Sequence, residues 1–406
     1  MIRLRTLYLH PAAAYGGASK SLIELFEQLR TMGVEGTVLT PRGSASIAFD
    51  KAGLQVKTVK GLSQFDNTRY GHYRRQRWII LLRELFLLPF SLLGLWRIRH
   101  QHFDLIHVNE ITLLPLGLVA KWLFRIPMVV HVRSLQRKLD SSWRTQLVNR
   151  WLRQHAKAVV AIDCTVASTL EPSSSLYVIH NGLKINSADT ATQAPLSPVN
   201  DLSTLRVGFF GVLIPLKGIY ELVEAVRILK NRNIQIECLV AGENARELSR
   251  VKGWILSKLG FARDVRAELE DLITRYGLQK QVRLLGFVSD VRTLYPQIDV
   301  LCFPSHLDAA GRPVFESAFY GIPSVVAITN PLPDAVIHEV TGIAIPKSDP
   351  VLIADALQRL AQDSEYRRAL GRQARDWAYK NFAIQSSSVA MYDLYQQLLS
   401  SRSSET

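Results

Sequence analysis

In both halves of the sequence, apolar runs of strand length alternate with stretches of helical periodicity, and this alternation narrows the fold more than any other feature. Arg3 to His10 reads as a strand. After the turn Tyr15-Gly16-Gly17, residues Leu22, Leu25, Phe26 and Leu29 fall on one helical face, and Gly33 closes it. Thr37–Thr40, Leu105–Val108, Met128–Val132, Ala158–Ile162 and Tyr177–Ile179 read as further strands. Ile185 to Thr204 is poor in apolar residues and rich in Ser, Thr, Ala and Pro, as a linker is. The alternation then restarts with strands at Arg206–Phe210, Gln235–Ala241, Val282–Leu285, Val300–Phe303 and Ser324–Ile328, and with a helix marked by Ile219, Leu222, Val223 and Val226. Repeated βα units build parallel sheets covered by helices. A chain of 406 residues has room for two such cores. The expectation is an α/β protein of two doubly wound domains, 1–184 and 205–385, with 185–204 as linker. Ligands of open α/β sheets bind at the carboxyl ends of strands, so the site is expected in a cleft between the domains.

Charge and cysteine usage bound the function classes. Lys and Arg number 49 against 35 Asp and Glu, a net charge of +14. Such a field attracts nucleic acid, anionic headgroups or phosphorylated substrates alike. Zinc-finger, RRM and KH signatures are lacking, so nucleic acid is not the expected partner. Three dispersed cysteines, Cys164, Cys238 and Cys302, fit neither a disulfide framework nor a metal site, and read as small buried hydrophobes in a reducing compartment. The N-terminus MIRLRTLYLH alternates like a strand and does not resemble a signal peptide. A cytoplasmic location is expected.

One stretch breaks the pattern. Between Arg74 and Arg99 the chain reads RRQRWIILLRELFLLPFSLLGLWRIR. Its uninterrupted apolar part, Leu85 to Trp96, is too short to span a bilayer, which takes about 20 residues. Basic flanks (Arg74, Arg75, Arg77, Arg97, Arg99) and aromatic ends (Trp78, Trp96) suit a segment lying on an anionic membrane surface. A helix pair buried in the first domain is the alternative.

The chemistry concentrates between Val300 and Ala327. The strand Val300–Phe303 runs into His306-Leu-Asp-Ala-Ala-Gly-Arg312, and Pro313 stands where a first helical residue would. The small residues Ala309, Ala310 and Gly311 permit close backbone approach, and the helix start favours an anion. Asp308 and Glu316 bracket this outline of a phosphate site. Carboxylates repel phosphate, so their fitting targets are vicinal hydroxyls, as on a ribose or a hexose. Acidic pairs at this separation also occur by chance, on surface loops and helix first turns.

This segment resembles the signature of the retaining GT-B glycosyltransferases of family 4, the group 1 family. That signature is Glu, seven residues, Glu, then Ala-Met-Ala-x-Gly-x-Pro; here the second half is Glu316-Ser-Ala-Phe-Tyr-Gly-Ile-Pro323. The resemblance extends in order along nearly the whole chain. It includes the Gly16-Gly17 loop, Ile179-His-Asn-Gly182, Gly211 with Lys217-Gly218, Val282-Arg-Leu-Leu-Gly286, Asp334 and Thr341-Gly342. It implies a GT-B fold of two Rossmann-like domains facing across a cleft. The C-terminal helix 386–406 would return to the first.

The resemblance also implies roles. Glu316 would bind the donor ribose, and Asp308 hydroxyls of the transferred sugar. Backbone groups near Ala310 and Gly311 would hold the sugar or diphosphate. Lys217 would neutralise the leaving diphosphate, with Gly16 and Gly17 approaching it from the other domain. Phe287 and Val288 would meet the base. His131, at the end of a strand, is similar to a family histidine near the donor sugar and acceptor hydroxyl; His131, Lys217 and Asp308 are the catalytic candidates. His107 reads as structural or acceptor-side. In two places the chain departs from the family. Val212 stands where the family has an arginine that meets the diphosphate, with Arg312 the candidate substitute, and Asp308 replaces a glutamate.

The implied activity is retaining transfer of a hexosyl group from a nucleotide-diphosphate sugar to a hydroxyl of a glycan or lipid-linked acceptor, in lipopolysaccharide or other cell-surface polysaccharide assembly. Family enzymes do this without a metal or other cofactor, and metal ligands such as Asp-x-Asp are lacking near the donor loop. The competing readings are a catalytically impaired nucleotide-sugar-binding protein and a GT-B sugar-nucleotide epimerase. A dinucleotide oxidoreductase is excluded by the lack of Gly-x-Gly-x-x-Gly between a strand and a helix.

Overall fold

The structure is a computed structural model that describes residues 3–69, 80–137, 142–184, 204–244 and 264–403. Arg74, Arg75, Arg77, Trp78 and the linker reading up to residue 203 lie outside the described residues. The chain divides into two compact units. One is Met1–Lys184 with Phe382–Thr406, and the other is Ile185–Asn381.

The first unit holds a parallel sheet of β1 (Leu4–Leu9), β2 (Val34–Pro41), β3 (Gln55–Val59), β4 (Leu105–Val108), β5 (Met128–Val132), β6 (Ala158–Ala161) and β7 (Leu176–Val178), in the order β3-β2-β1-β4-β5-β6-β7. Strands β4 and β5 are buried at every position. Burial on both faces requires continuous apolar runs, which is why they stand out in the sequence. Helix α1 (Gly17–Thr31) turns Leu22, Leu25, Phe26 and Leu29 to the interior, as their spacing predicts. Helices α2 (Ser44–Lys51), α3 (Ile80–Arg97), α4 (Leu114–Phe124), α5 (Trp143–His155) and α6 (Cys164–Ala167) complete its N-terminal part, with Cys164 half-buried at the start of α6.

Helix α3 is the described part of the segment that breaks the alternation. Its Glu84 does not break the run into solvent. The carboxylate is buried, accepts from the Gln64 amide at 2.7 Å and pairs with Arg83. Gly94 packs against Val59 of β3. The opposite face leaves Leu82, Leu85, Phe86, Leu93 and Trp96 exposed. Their offsets of 0, 3, 4, 11 and 14 put them on one stripe. No helix among the described residues is long and apolar enough to cross a membrane.

The second unit repeats the winding with β8 (Leu205–Phe210), β9 (Ile236–Ala241), β10 (Val282–Gly286), β11 (Val300–Phe303), β12 (Ser324–Ala327) and β13 (Gly342–Ile345), ordered β10-β9-β8-β11-β12-β13 and all parallel. Helices α7 (Ile219–Asn231), α8 (Val265–Arg275), α9 (Arg312–Phe319), α10 (Pro350–Gln362) and α11 (Ser364–Phe382) cover it. Ile219, Leu222, Val223 and Val226 join Cys238, Cys302 and Leu357 in one buried core. The chain then goes back to the first unit. Helix α12 (Ile384–Ser403) inserts Met391, Leu394, Tyr395 and Leu398 among Leu4, Leu29, Leu105 and Val129. Both sheets reverse their winding between the first and fourth strands of the unit. That reversal opens a crevice at the carboxyl ends, where such folds take ligands.

Candidate active site

In the second unit the chain leaves β11 at Pro304 and enters the loop to α9. Two neighbouring loops shape it. Ser305 Oγ and the His306 amide both donate to the Leu216 carbonyl, at 3.1 and 3.0 Å, which fastens this loop to the turn carrying Lys217. Gly218 follows that turn at φ +74°, and a Cβ there would overlap the Pro304 carbonyl. Only glycine permits the approach and the left-handed backbone together. The Lys217 ammonium lies 4.7 Å from the centre of the Phe303 ring. Gly311 packs so closely on the same ring that a Cβ would run into it. One phenylalanine therefore brings Lys217 and the start of α9 together. Partial burial lowers the Lys217 pKa, and a bound anion would raise it again.

Helix α9 begins with Gly311 as its N-cap, without a side-chain cap, and with Pro313 in its first turn. Its start leaves backbone N–H groups for a ligand. Glu316 faces inward and is 4% exposed. It accepts from the Tyr295 hydroxyl at 2.8 Å and from Arg312 Nε at 2.8 Å. Burial, then the adjacent carboxylate, pushes the Tyr295 pKa well up, which keeps the phenol a donor. Arg312, the candidate replacement for an arginine at Val212, is thus tied to Glu316, while Val212 is exposed. Asp308 adopts φ +53°, a left-handed backbone that aspartate tolerates better than most residues. Its carboxylate accepts from the Thr329 amide at 2.8 Å, just beyond the end of β12. Phe287 follows β10 and is 76% exposed, with Val288 half-buried beside it.

In the first unit the strand ends carry a different assembly. His10 follows β1, His107 lies in β4 with Asn109 just after it, and His131 lies in β5 with Arg133 just after. The Arg133 guanidinium gathers them. Nε and Nη2 donate to Asn109 Oδ1 at 3.1 and 2.8 Å, Nη1 to Asn181 Oδ1 at 2.5 Å, and Nη2 approaches His131 Nδ1 at 3.3 Å. His107 Nε2 is 3.2 Å from the same Nδ1, and His107 Nδ1 is 2.6 Å from the Tyr395 hydroxyl. Asn109 Nδ2 reaches His10 Nδ1 at 2.8 Å, and His10 Nε2 reaches Ser19 Oγ at 3.0 Å. Burial, helped by the Arg133 charge, pulls His10 and His107 down to about 3 and His131 well below its usual range. All three are neutral at pH 7. Burial raises the neighbouring Glu110 carboxyl to about 7. Gly16 and Gly17 stand at the start of α1 with nothing within 4 Å of an added Cβ. Among the described residues no group of three or more His, Cys, Asp or Glu is placed to hold a metal ion.

Each unit thus carries a candidate site at the carboxyl ends of its own sheet. Residues 199–377 match the family model of glycosyl transferases group 1, and residues 16–173 match that of the glycosyl transferase 4-like domain. The chain belongs to the group 1 glycosyltransferases of the GT-B fold. It is similar to an uncharacterized glycosyltransferase of Methanocaldococcus jannaschii, 22% identical over 416 residues that cover 96% of this chain and 97% of that one. It is 31% identical over 201 residues to the D-inositol 3-phosphate glycosyltransferase of Corynebacterium jeikeium, covering 48% and 44% of the two chains. HepE of Anabaena, solved in complex with UDP and glucose, has the same fold at a TM-score of 0.74 and 19% identity, over 97% of this chain and 100% of that one.

Within this glycosyltransferase, sequence reasoning singled out the loop from Asp308 to Glu316, Lys217 and His131. It missed Tyr295 and Phe303, which hold that loop, and Arg133, Asn109 and His10, which belong to the network of His131; Asn181, within Ile179-His-Asn-Gly182, was given no role. The available signal was positional, since His10, Asn109 and Arg133 each follow the last apolar residue of a strand directly.

Proposed function

We propose that this glycosyltransferase moves a hexosyl group, with retention and without a metal, from a nucleotide-diphosphate sugar to a hydroxyl of a glycan or lipid-linked acceptor in cell-surface polysaccharide assembly. The reading rests above all on the convergence of Lys217 and the glycine-started helix α9 on the Phe303 ring. A cation and a helix N-terminus packed on one ring suit a diphosphate whose charge grows as it leaves. Glu316 takes the ribose hydroxyls with the lone pairs that Tyr295 and Arg312 leave over. Asp308 takes hydroxyls of the sugar, and Ala310 and Gly311 offer backbone N–H groups to the sugar or diphosphate. Arg312 adds positive charge in place of an arginine at Val212. Phe287 and Val288 meet the base. Gly16 and Gly17 leave room for the diphosphate, and His131 works at the reacting centre. A donor phosphate oxygen takes the acceptor proton as the new bond forms on the face the diphosphate leaves.

The acceptor is proposed to reach the first unit from an anionic membrane, on the cytoplasmic side. The exposed stripe of α3, closed by Arg97 and Arg99, supports this.

A thermal-shift and hydrolysis screen of UDP-, GDP-, ADP- and TDP-sugars tests the donor reading; HepE, also solved in complex with UDP-glucose, makes that sugar nucleotide the first to try. One donor class should bind. Glu316→Ala should weaken it about 10- to 100-fold, the value of lost hydrogen bonds to a charged group, with ligand-free unfolding measured alongside to separate affinity from folding. The reading fails if none of these donors binds, and undiminished affinity in Glu316→Ala removes the ribose contact.

A further inference from the structure

We propose that Arg133 is a positioning residue that locks His131 as a neutral imidazole with its proton on Nε2, so that His131 serves the reaction as a hydrogen-bond donor to a substrate oxygen and not as a base. The role at the reacting centre rests on the function proposed above; the protonation pattern follows from hydrogen-bond geometry alone.

A guanidinium can only donate hydrogen bonds. Arg133 Nη2 and His131 Nδ1 stand 3.3 Å apart, so Nδ1 must offer its lone pair. His107 Nε2 points at the same Nδ1 from 3.2 Å and therefore also carries a proton. His107 Nδ1 is then an acceptor, and it accepts a hydrogen bond from the Tyr395 hydroxyl at 2.6 Å. Every link runs in one direction, from Tyr395 through His107 to His131. A neutral His131 with Nδ1 used as acceptor has its proton on Nε2.

The second branch agrees. Arg133 donates twice to Asn109 Oδ1, which fixes the amide so that Nδ2 faces His10 Nδ1 at 2.8 Å. His10 then also keeps its proton on Nε2 and donates to Ser19 Oγ. A single donor-only side chain thus orients two branches of the network.

A base needs the Nε2 lone pair. Freeing it would move the proton to Nδ1, against the Nη2–H of Arg133 and the Nε2–H of His107. Full protonation would put a second positive charge beside the guanidinium in a buried setting, which burial already disfavours at His131. Meanwhile His131 is only 2% exposed, and among the described residues its Nε2 has no partner. A buried N–H without an acceptor is costly. The chemistry that satisfies it is an oxygen lone pair, on a sugar hydroxyl or on a phosphate. On a phosphate oxygen of the leaving group the donated bond strengthens as negative charge builds there; on a sugar hydroxyl it fixes the orientation of the sugar.

Nitrogen-15-histidine-labelled full-length protein tests this directly, through long-range proton–nitrogen correlation spectra of the imidazoles. His131→Gln assigns the signals by their loss. His131 should show the neutral, Nε2-protonated pattern at pH 6 to 8, and Arg133→Met should change that pattern to a mixture of tautomers or to the Nδ1–H form. An Nδ1–H or imidazolium His131 in the unsubstituted protein overturns the proposal. Kinetics supply a second test once a donor and acceptor are known. His131→Phe should lower kcat about 100-fold or more, and His131→Gln, whose amide can still donate from a similar position, should recover at least about tenfold of that loss. Equal losses in the two variants overturn the donor role while leaving the glycosyltransferase reading, tested by donor binding, intact.

Discussion

The two sheets of this glycosyltransferase are wound alike, yet their carboxyl ends are finished in opposite ways. In the second unit the site is made by bringing backbone close. Gly218 lies against the Pro304 carbonyl, Gly311 lies against Phe303, and helix α9 starts without a capping side chain. In the first unit the space is filled by side chains that satisfy one another, with Arg133 bonded to Asn109, Asn181 and His131. Even the glycines differ, since Gly16 and Gly17 have nothing within 4 Å of an added Cβ. The difference suits the two tasks proposed above. A diphosphate carries diffuse charge and is held by many weak backbone donors and one cation. A reacting hydroxyl needs a few groups of fixed polarity. Topology supplies the crevice in both units; residue choice alone separates the two proposed tasks.

The contrast between packed and open glycines offers the largest effect. Gly218→Ala adds a methyl where the Pro304 carbonyl stands and forces alanine to φ +74°. Left-handed strain and overpacking together should cost roughly 2–4 kcal/mol, read as an earlier unfolding transition of the second unit in urea. Gly17→Ala, in open space, should stay within about 0.5 kcal/mol. If both substitutions are neutral, the close approach at Gly218 does not exist, and the comparison between the two sites loses its footing.

A smaller effect comes from the buried titratable groups of the first unit. His10, His107 and His131 are neutral when folded and have folded pKa values far below that of an unfolded histidine. The stability they contribute is present above about pH 6.5 and is lost as pH falls below it. Glu110 works the other way. Its folded pKa, raised to about 7 by burial, gives a contribution that is present below the unfolded value and lost as pH rises through 7. Three groups outweigh one, so stability should fall by about 1–2 kcal/mol from pH 6.5 to 5.5. Glu110→Gln should steepen that fall by about one proton's worth of slope. Urea midpoints at the two pH values measure it. A flat profile would mean that the histidines are not held neutral and that the polarity set by Arg133 is absent.

What the sequence reveals divides along the same line. The fold is legible because buried parallel strands are continuous apolar runs, as at Met128–Val132. Strand β3 escapes notice because its residues, Gln-Val-Lys-Thr-Val, lie at the sheet edge and are only half-buried. The loop from Asp308 to Glu316 can be read because its parts are contiguous, so their spacing carries meaning. The assembly around His131 cannot be read in the same way. Asn109 and His10 are 99 positions apart, and His107 and Tyr395 are 288 apart. Each is a single polar residue until the sheet brings the strand ends together. Phe303 is hidden for a related reason. As the last residue of a buried strand it looks like core, and only packing shows that it carries both Lys217 and Gly311.

The smallest effect asks whether an exposed side chain belongs to a site at all. Phe287 follows β10 and is 76% exposed, whereas the aromatic residues of the first unit's network are fully buried. A residue so exposed contributes little to folding, and Phe287→Ala should change stability by no more than about 0.5 kcal/mol. If the base of the donor stacks on this ring, donor affinity should nonetheless fall several-fold, since base–aromatic stacking is worth about 1–3 kcal/mol per base. If the base is instead held through the backbone of Phe287 and Val288, affinity should be unchanged within about twofold. Titration of the nucleotide diphosphate alone separates the two cases without an acceptor. A loss would make Phe287 a side-chain contact, as Glu316 and Asp308 are proposed to be. An unchanged affinity would extend to the base the backbone contact proposed for the diphosphate.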